Sequence, residues 1–112
     1  MIQNKKNMKE KLKKAFIKAI DNLDFDEYSY YHYTVKENRW SITIYGDNNW
    51  IGVNKMLKEN AIITFGSLTE KLSNEEETEL FNYFKIKYDQ YCLDCQKKSY
   101  EKSVKDLDKF LG

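Results

Sequence analysis

Hydrophobic patterning predicts an α+β fold: an N-terminal helix, a three- or four-stranded antiparallel meander and a C-terminal helix. Three observations carry this. Apolar residues recur at helical spacing over residues 5–23, the period shortens to two over 28–65, and a helix-capping signal follows at Ser73. The chain has 112 residues, 41% hydrophobic and 33% charged, which suits one domain with a modest core. A net charge of +1 argues against a globally basic nucleic-acid protein and an acidic solvating tail. No apolar run approaches the roughly 18 residues of a membrane span. The lysine-rich start leads into an amphipathic pattern instead of a secretory signal, and two cysteines cannot form a disulfide framework. The expected compartment is the cytoplasm.

The first helix is expected from Lys5 to Leu23, with Met8, Leu12, Phe16, Ala19, Ile20 and Leu23 on one stripe. Lysines 5, 6, 9, 11, 13, 14 and 18 occupy most of the remaining circumference. Asp21, Asp24, Asp26 and Glu27 then oppose the helix dipole and open a loop. From Tyr28 to Lys36 residues alternate, setting Tyr31, Tyr33 and Val35 against Tyr28, Tyr30, His32 and Thr34. Glu37 to Arg39 forms a turn, and the second strand aligns Trp40, Ile42 and Ile44 against Ser41, Thr43 and Tyr45. Gly46 to Asn49 is a turn signal. Trp50 to Leu57 is expected as a third strand, with Gly52 a weak spot or bulge, and Ala61 to Phe65 as a fourth. Gly66 is expected to end the sheet. Short connections favour a meander over parallel crossovers.

Ser73 and Glu76 form a capping box, so the second helix starts near Asn74. No proline or glycine interrupts it before Gly112. Its phase is discontinuous. Leu80, Phe84, Tyr88, Tyr91 and Cys95 share one sector, whereas Tyr100, Val104, Leu107 and Leu111 cluster about 170° away. Either the helix breaks near residues 96–99, or its tail packs against something different, such as a second chain. Those four residues are the candidate oligomer interface of a monomer or homodimer.

No catalytic constellation emerges. Cys92 and Cys95 have C-x-x-C spacing, but His32 is the only other obvious zinc ligand and both thiols fall inside a helix, so free thiols are expected. His32 has no partner placed by spacing. The acidic residues 21–27 lack the order and the glycine of a calcium loop. Four scattered glycines exclude a phosphate-binding loop, so no metal, cofactor or catalytic residue is expected. Residues 5–18 hold seven lysines against Glu10, a footprint for nucleic acid or an acidic protein, or simply a solvated face. Arg39 is the chain's one arginine, which disfavours base readout.

Aromatic residues reach 15%, concentrated between Tyr28 and Tyr33. Tyr28, Tyr30, His32 and Tyr45 are expected on the face opposite the core, where tyrosines offer rigid contact area with a hydrogen-bonding tip. The competing reading folds the C-terminal segment over that face as a second core.

Eighteen lysines to one arginine, with ten asparagines, nine isoleucines and nine tyrosines, is the amino-acid usage of an AT-rich genome. In composition and plan the chain resembles small accessory proteins of low-GC Gram-positive phages and mobile elements, a group that includes anti-CRISPR and other anti-defence inhibitors. The resemblance implies a non-enzymatic inhibitor that binds a protein target and occludes a larger intracellular complex. No residue carries over from the resemblance; on the binding hypothesis strand alternation makes Tyr28, Tyr30, His32 and Tyr45 the contact patch, and the adjacent Asp21, Asp24, Asp26 and Glu27 meet a basic groove. The alternative is a small-ligand or nucleotide-binding module that uses aromatic stacking and lysines.

Overall fold

The computed structural model describes residues 5–112. Helix α1 (Lys5–Asp21) leads through a loop and a 3-10 turn (Tyr28–Tyr30) into five strands: β1 (Tyr31–Lys36), β2 (Arg39–Tyr45), β3 (Trp50–Lys55), β4 (Ile62–Phe65) and β5 (Leu68–Lys71). Helix α2 (Asn74–Leu111) closes the chain. The strands lie in sequence order, each antiparallel to the next, as short connections require. Both helices cover one face of this sheet, giving the expected α+β architecture.

The core lies between those layers. Leu12, Phe16 and Ile20 of α1 and Leu80 and Phe84 of α2 bury against Tyr31, Ile42, Ile44, Ile51, Val53 and Ile63. Trp40 and Tyr33 complete it by packing on Phe81 and Phe84, with ring centroids 4.8 and 4.9 Å apart. The opposite face of the sheet is uncovered.

Three strand expectations change. The first strand begins at Tyr31, because Tyr28–Tyr30 coil into the 3-10 turn. Gly66 turns the sheet instead of ending it: at φ +58° it takes a left-handed conformation that side chains disfavour, and β5 folds back with Leu68 opposite Phe65. Nor does Gly52 form a bulge. It pairs in register with Thr43 and Thr64, and the Trp50 ring lies over it, 3.4 Å from where a Cβ would stand.

Helix α2 starts where the capping box places it. The Ser73 hydroxyl accepts from the Glu76 N–H at 3.1 Å, and the Glu76 carboxylate accepts from the Ser73 N–H at 2.8 Å. Glu76 also receives Lys9 and Lys13 of α1 at 3.1 and 3.3 Å. Burial disfavours its charge, but the Ser73 N–H and then the two ammonium groups outweigh that, bringing its pKa down to about 2. Next to it, the nearly buried Glu77 accepts from the Ala61 N–H at 2.6 Å and pairs with Lys55 at 3.0 Å, tying α2 to the β3–β4 connection.

The expected break near residues 96–99 does not occur. α2 continues for 38 residues, and its second half runs past the sheet, stretching the molecule to 72 × 31 × 18 Å. The change of apolar phase marks two faces on one continuous helix. No residue there removes a backbone donor or demands a left-handed conformation, so nothing stops the hydrogen-bond ladder.

Candidate functional site

A hollow of about 450 Å³ opens between the C-terminal half of α1, the following loop and the β2–β3 turn. Ala15 and Ala19, one helical turn apart, present methyl groups where larger side chains would close the gap. Ile44, Ile51, Phe65 and Leu23 supply further apolar lining. Tyr30 and Tyr45 line it as well, beside Lys18, Asp24 and Asp47. Both tyrosines are exposed, at 51% and 44%. Sequence patterning missed this hollow, since its one signal is the pair of alanines on the edge of an otherwise large-residue stripe.

The expected contact patch is therefore divided. Tyr30 lines the hollow and Tyr45 borders it from the edge of the β2–β3 turn, whereas Tyr28, 75% exposed, packs toward Tyr31 with centroids 6.3 Å apart. His32 stands on the uncovered sheet face opposite Thr43, with Trp50 and Tyr45 on the same face. The C-terminal segment does not fold over these residues. It covers the other face, so the second-core reading is replaced by an open surface.

The acidic loop is likewise divided. The Tyr83 hydroxyl donates to Asp21, which also pairs with Lys87 at 3.6 Å. The Tyr91 hydroxyl donates to Asp26 at 2.9 Å. Asp24 accepts from the Asp26 N–H at 3.0 Å, bending the loop so that Asp24 reaches the hollow. Phe25, thrown inward by that bend, packs among Tyr31, Phe84, Tyr88 and Tyr91. Burial first, then neighbouring Tyr88 and Tyr28, push the Tyr31 phenol up to about 12, and its hydroxyl donates to the Phe25 carbonyl at 3.0 Å. Hydrogen bonds with Cys95 and then Asp26 raise the Tyr91 phenol too. These phenols are held neutral as structural donors.

The thiols follow the helix. Cys92 is half-buried, while Cys95 is exposed, further out than a core-facing position implies. His32 lies across the sheet from both. Among the described residues no three His, Cys, Asp or Glu side chains gather as a metal site. Of the lysines along α1, Lys9 and Lys13 are committed to Glu76, leaving Lys11, Lys14 and Lys18 exposed; the Lys5 and Lys6 side chains lie outside the described residues. The basic footprint is thus smaller than the sequence alone implies. No helix is long and apolar enough to cross a membrane among the described residues.

The fourth region is the outer half of α2. Every residue from 93 to 112 is exposed, including Tyr100, Val104, Leu107 and Leu111. Fold and surface together define a two-layer helix-on-meander body that carries a long helical projection. The sequence matches no protein-family model, no curated protein and no solved structure.

Proposed function

We propose that this protein is a non-enzymatic inhibitor that binds a protein target and occludes it. The observation that carries the reading is the hollow of about 450 Å³, apolar within and flanked by the exposed Tyr30 and Tyr45. Tyrosines around a desolvated pocket are the usual composition of an interaction hot spot. Among the described residues, Asp24 and Asp47 line the hollow against one cation, Lys18. This charge balance suits a basic protein segment that inserts one apolar side chain, and it repels the phosphates of a nucleotide. The small-ligand alternative retains one favourable feature, a volume within the range of small-molecule sites. The compositional resemblance to anti-defence inhibitors makes a host-defence complex, CRISPR-type included, the first target class to test.

The test is nuclease-treated capture from a lysate of a low-GC Gram-positive cell, comparing the native chain with a Tyr30→Ala/Tyr45→Ala variant. One stoichiometric protein should be retained by the native chain and lost by the variant, with unchanged far-UV circular dichroism. A partner retained by the variant would move the contact elsewhere. A tightly bound nucleotide in place of a protein would overturn the inhibitor reading.

A further inference from the structure

The exposed face of α2 carries a heptad pattern longer than the cluster near its C-terminal end. Ile86, Leu93, Tyr100 and Leu107 recur every seven residues, and Gln90, Lys97, Val104 and Leu111 fall between them in the alternating four-and-three spacing of a coiled-coil seam. The six apolar members of this row are 41–74% exposed, and Gln90 and Lys97 are exposed as well. The seam lies almost opposite Phe84, which faces the sheet. It begins where α1 ends its reach, one turn beyond Tyr83 and its bond to Asp21. A projecting helix without tertiary contacts is marginal in water, and this one keeps large apolar side chains in solvent along its whole length.

We infer that a second copy of this chain covers the seam, with the two α2 helices antiparallel and centred between Lys97 and Tyr100. The residues are self-complementary in that register. Ile86 meets Leu111 of the second copy, Leu93 meets Val104, Gln90 meets Leu107, and the Lys97 ammonium lies against the Tyr100 ring. Lys87 on the flank, which reaches Asp21 within its own chain at 3.6 Å, also comes beside Asp108 of the second copy. Asp94 beside Glu101 is the one unfavourable flanking pair. The parallel arrangement is worse: it sets Lys97 against Lys97 inside the seam and Asp89 against Asp94 beside it. Two helices in contact over about 38 Å cover on the order of 1,200 Å², within the range of specific interfaces. Lys97 and Gln90 in the seam lower stability and fix register, so the dimer forms reversibly with concentration. The hollow is separate from this interface and remains open in the dimer.

Sedimentation equilibrium of the full chain tests the pairing. Its mass should rise from monomer to dimer across a micromolar-to-millimolar series. Val104→Asp/Leu107→Asp should remain monomeric with the thermal midpoint of the dilute native protein, since both residues are exposed. Orientation is read by oxidation in a Cys92→Ser/Cys95→Ser background. Leu93→Cys and Val104→Cys chains should cross-link to each other when mixed, and neither to itself. A monomer at every concentration overturns the inference. Self-cross-linking of either single variant overturns the antiparallel register, and a larger oligomer overturns the two-helix seam.

Discussion

The two halves of α2 are built from similar residues and have opposite surroundings. Before Tyr91, Leu80 and Phe84 are fully buried and Tyr88 packs into a ring cluster with Phe25, Tyr31 and Tyr33. Beyond Cys92 the helix keeps its apolar content, but the face carrying it has rotated away from the sheet. The difference shows that tertiary packing selects a face of a helix without fixing its length. Leu80 and Phe84 hold the first half in place, and the second continues because nothing terminates it.

Phe84→Ala should break the inner half most severely. It removes a ring at the centre of the cluster and should cost about 3–5 kcal/mol in urea unfolding. Tyr100→Ala, at the same kind of position on the outer face, should change body stability by less than about 0.5 kcal/mol. A comparable loss at both sites would mean that the outer half packs on the body after all.

Glu77→Ala leaves the Ala61 N–H without its buried acceptor and Lys55 without its ion-pair partner, though still bonded to the Glu59 carbonyl, and should cost about 3 kcal/mol. Glu77→Gln, which retains an acceptor, should cost less. Equal losses would assign the effect to the charge alone.

Glu76 sharpens the comparison at the start of the helix. Its folded pKa, about 2, lies below the ordinary 4.5, so the unfolded chain takes up its proton first on acidification. The associated stability is fully present above about pH 4.5 and disappears as pH falls toward about 2. Glu76→Gln should flatten the pH dependence of Tm across that window while the cap geometry is retained. An unchanged slope would place the acid sensitivity elsewhere.

The smallest effect on the body is expected from deleting residues 97–112, within about 0.5 kcal/mol of the native unfolding free energy in dilute protein. Amide hydrogen exchange gives the corresponding local reading. Protection should be strong over 77–91, weak over 97–111 in dilute solution, and rise in the outer segment with concentration.

Most of the architecture was legible because it follows from local chemistry. Alternation placed Tyr31, Ile42 and Ile44 inward, and Ser73 with Glu76 fixed the start of α2. β5 was not legible, since Leu68 to Lys71 is too short and polar to show alternation, and Gly66 can end a strand or turn it. The phase change in α2 was visible, but a break and a second seam produce the same pattern on a helical wheel. Exposure distinguishes them, together with Ile86 and Leu93, which extend the seam back over the body. The contact patch was only half legible: strand alternation cannot foresee a 3-10 turn separating Tyr28 from Tyr30, nor a hollow made by two alanines.

An unbroken helix also links length to orientation. Each residue added between Tyr91 and Tyr100 turns the outer row by about 100° relative to the sheet. One insertion would aim Leu107 and Leu111 along a new direction while leaving every buried contact intact. Seven residues nearly restore the original aim, falling about 20° short of two full turns. The segment thus keeps its aim only when its reach changes by close to a whole number of turns, such as about seven or eleven residues, a constraint on spacing imposed by no contact inside the folded body.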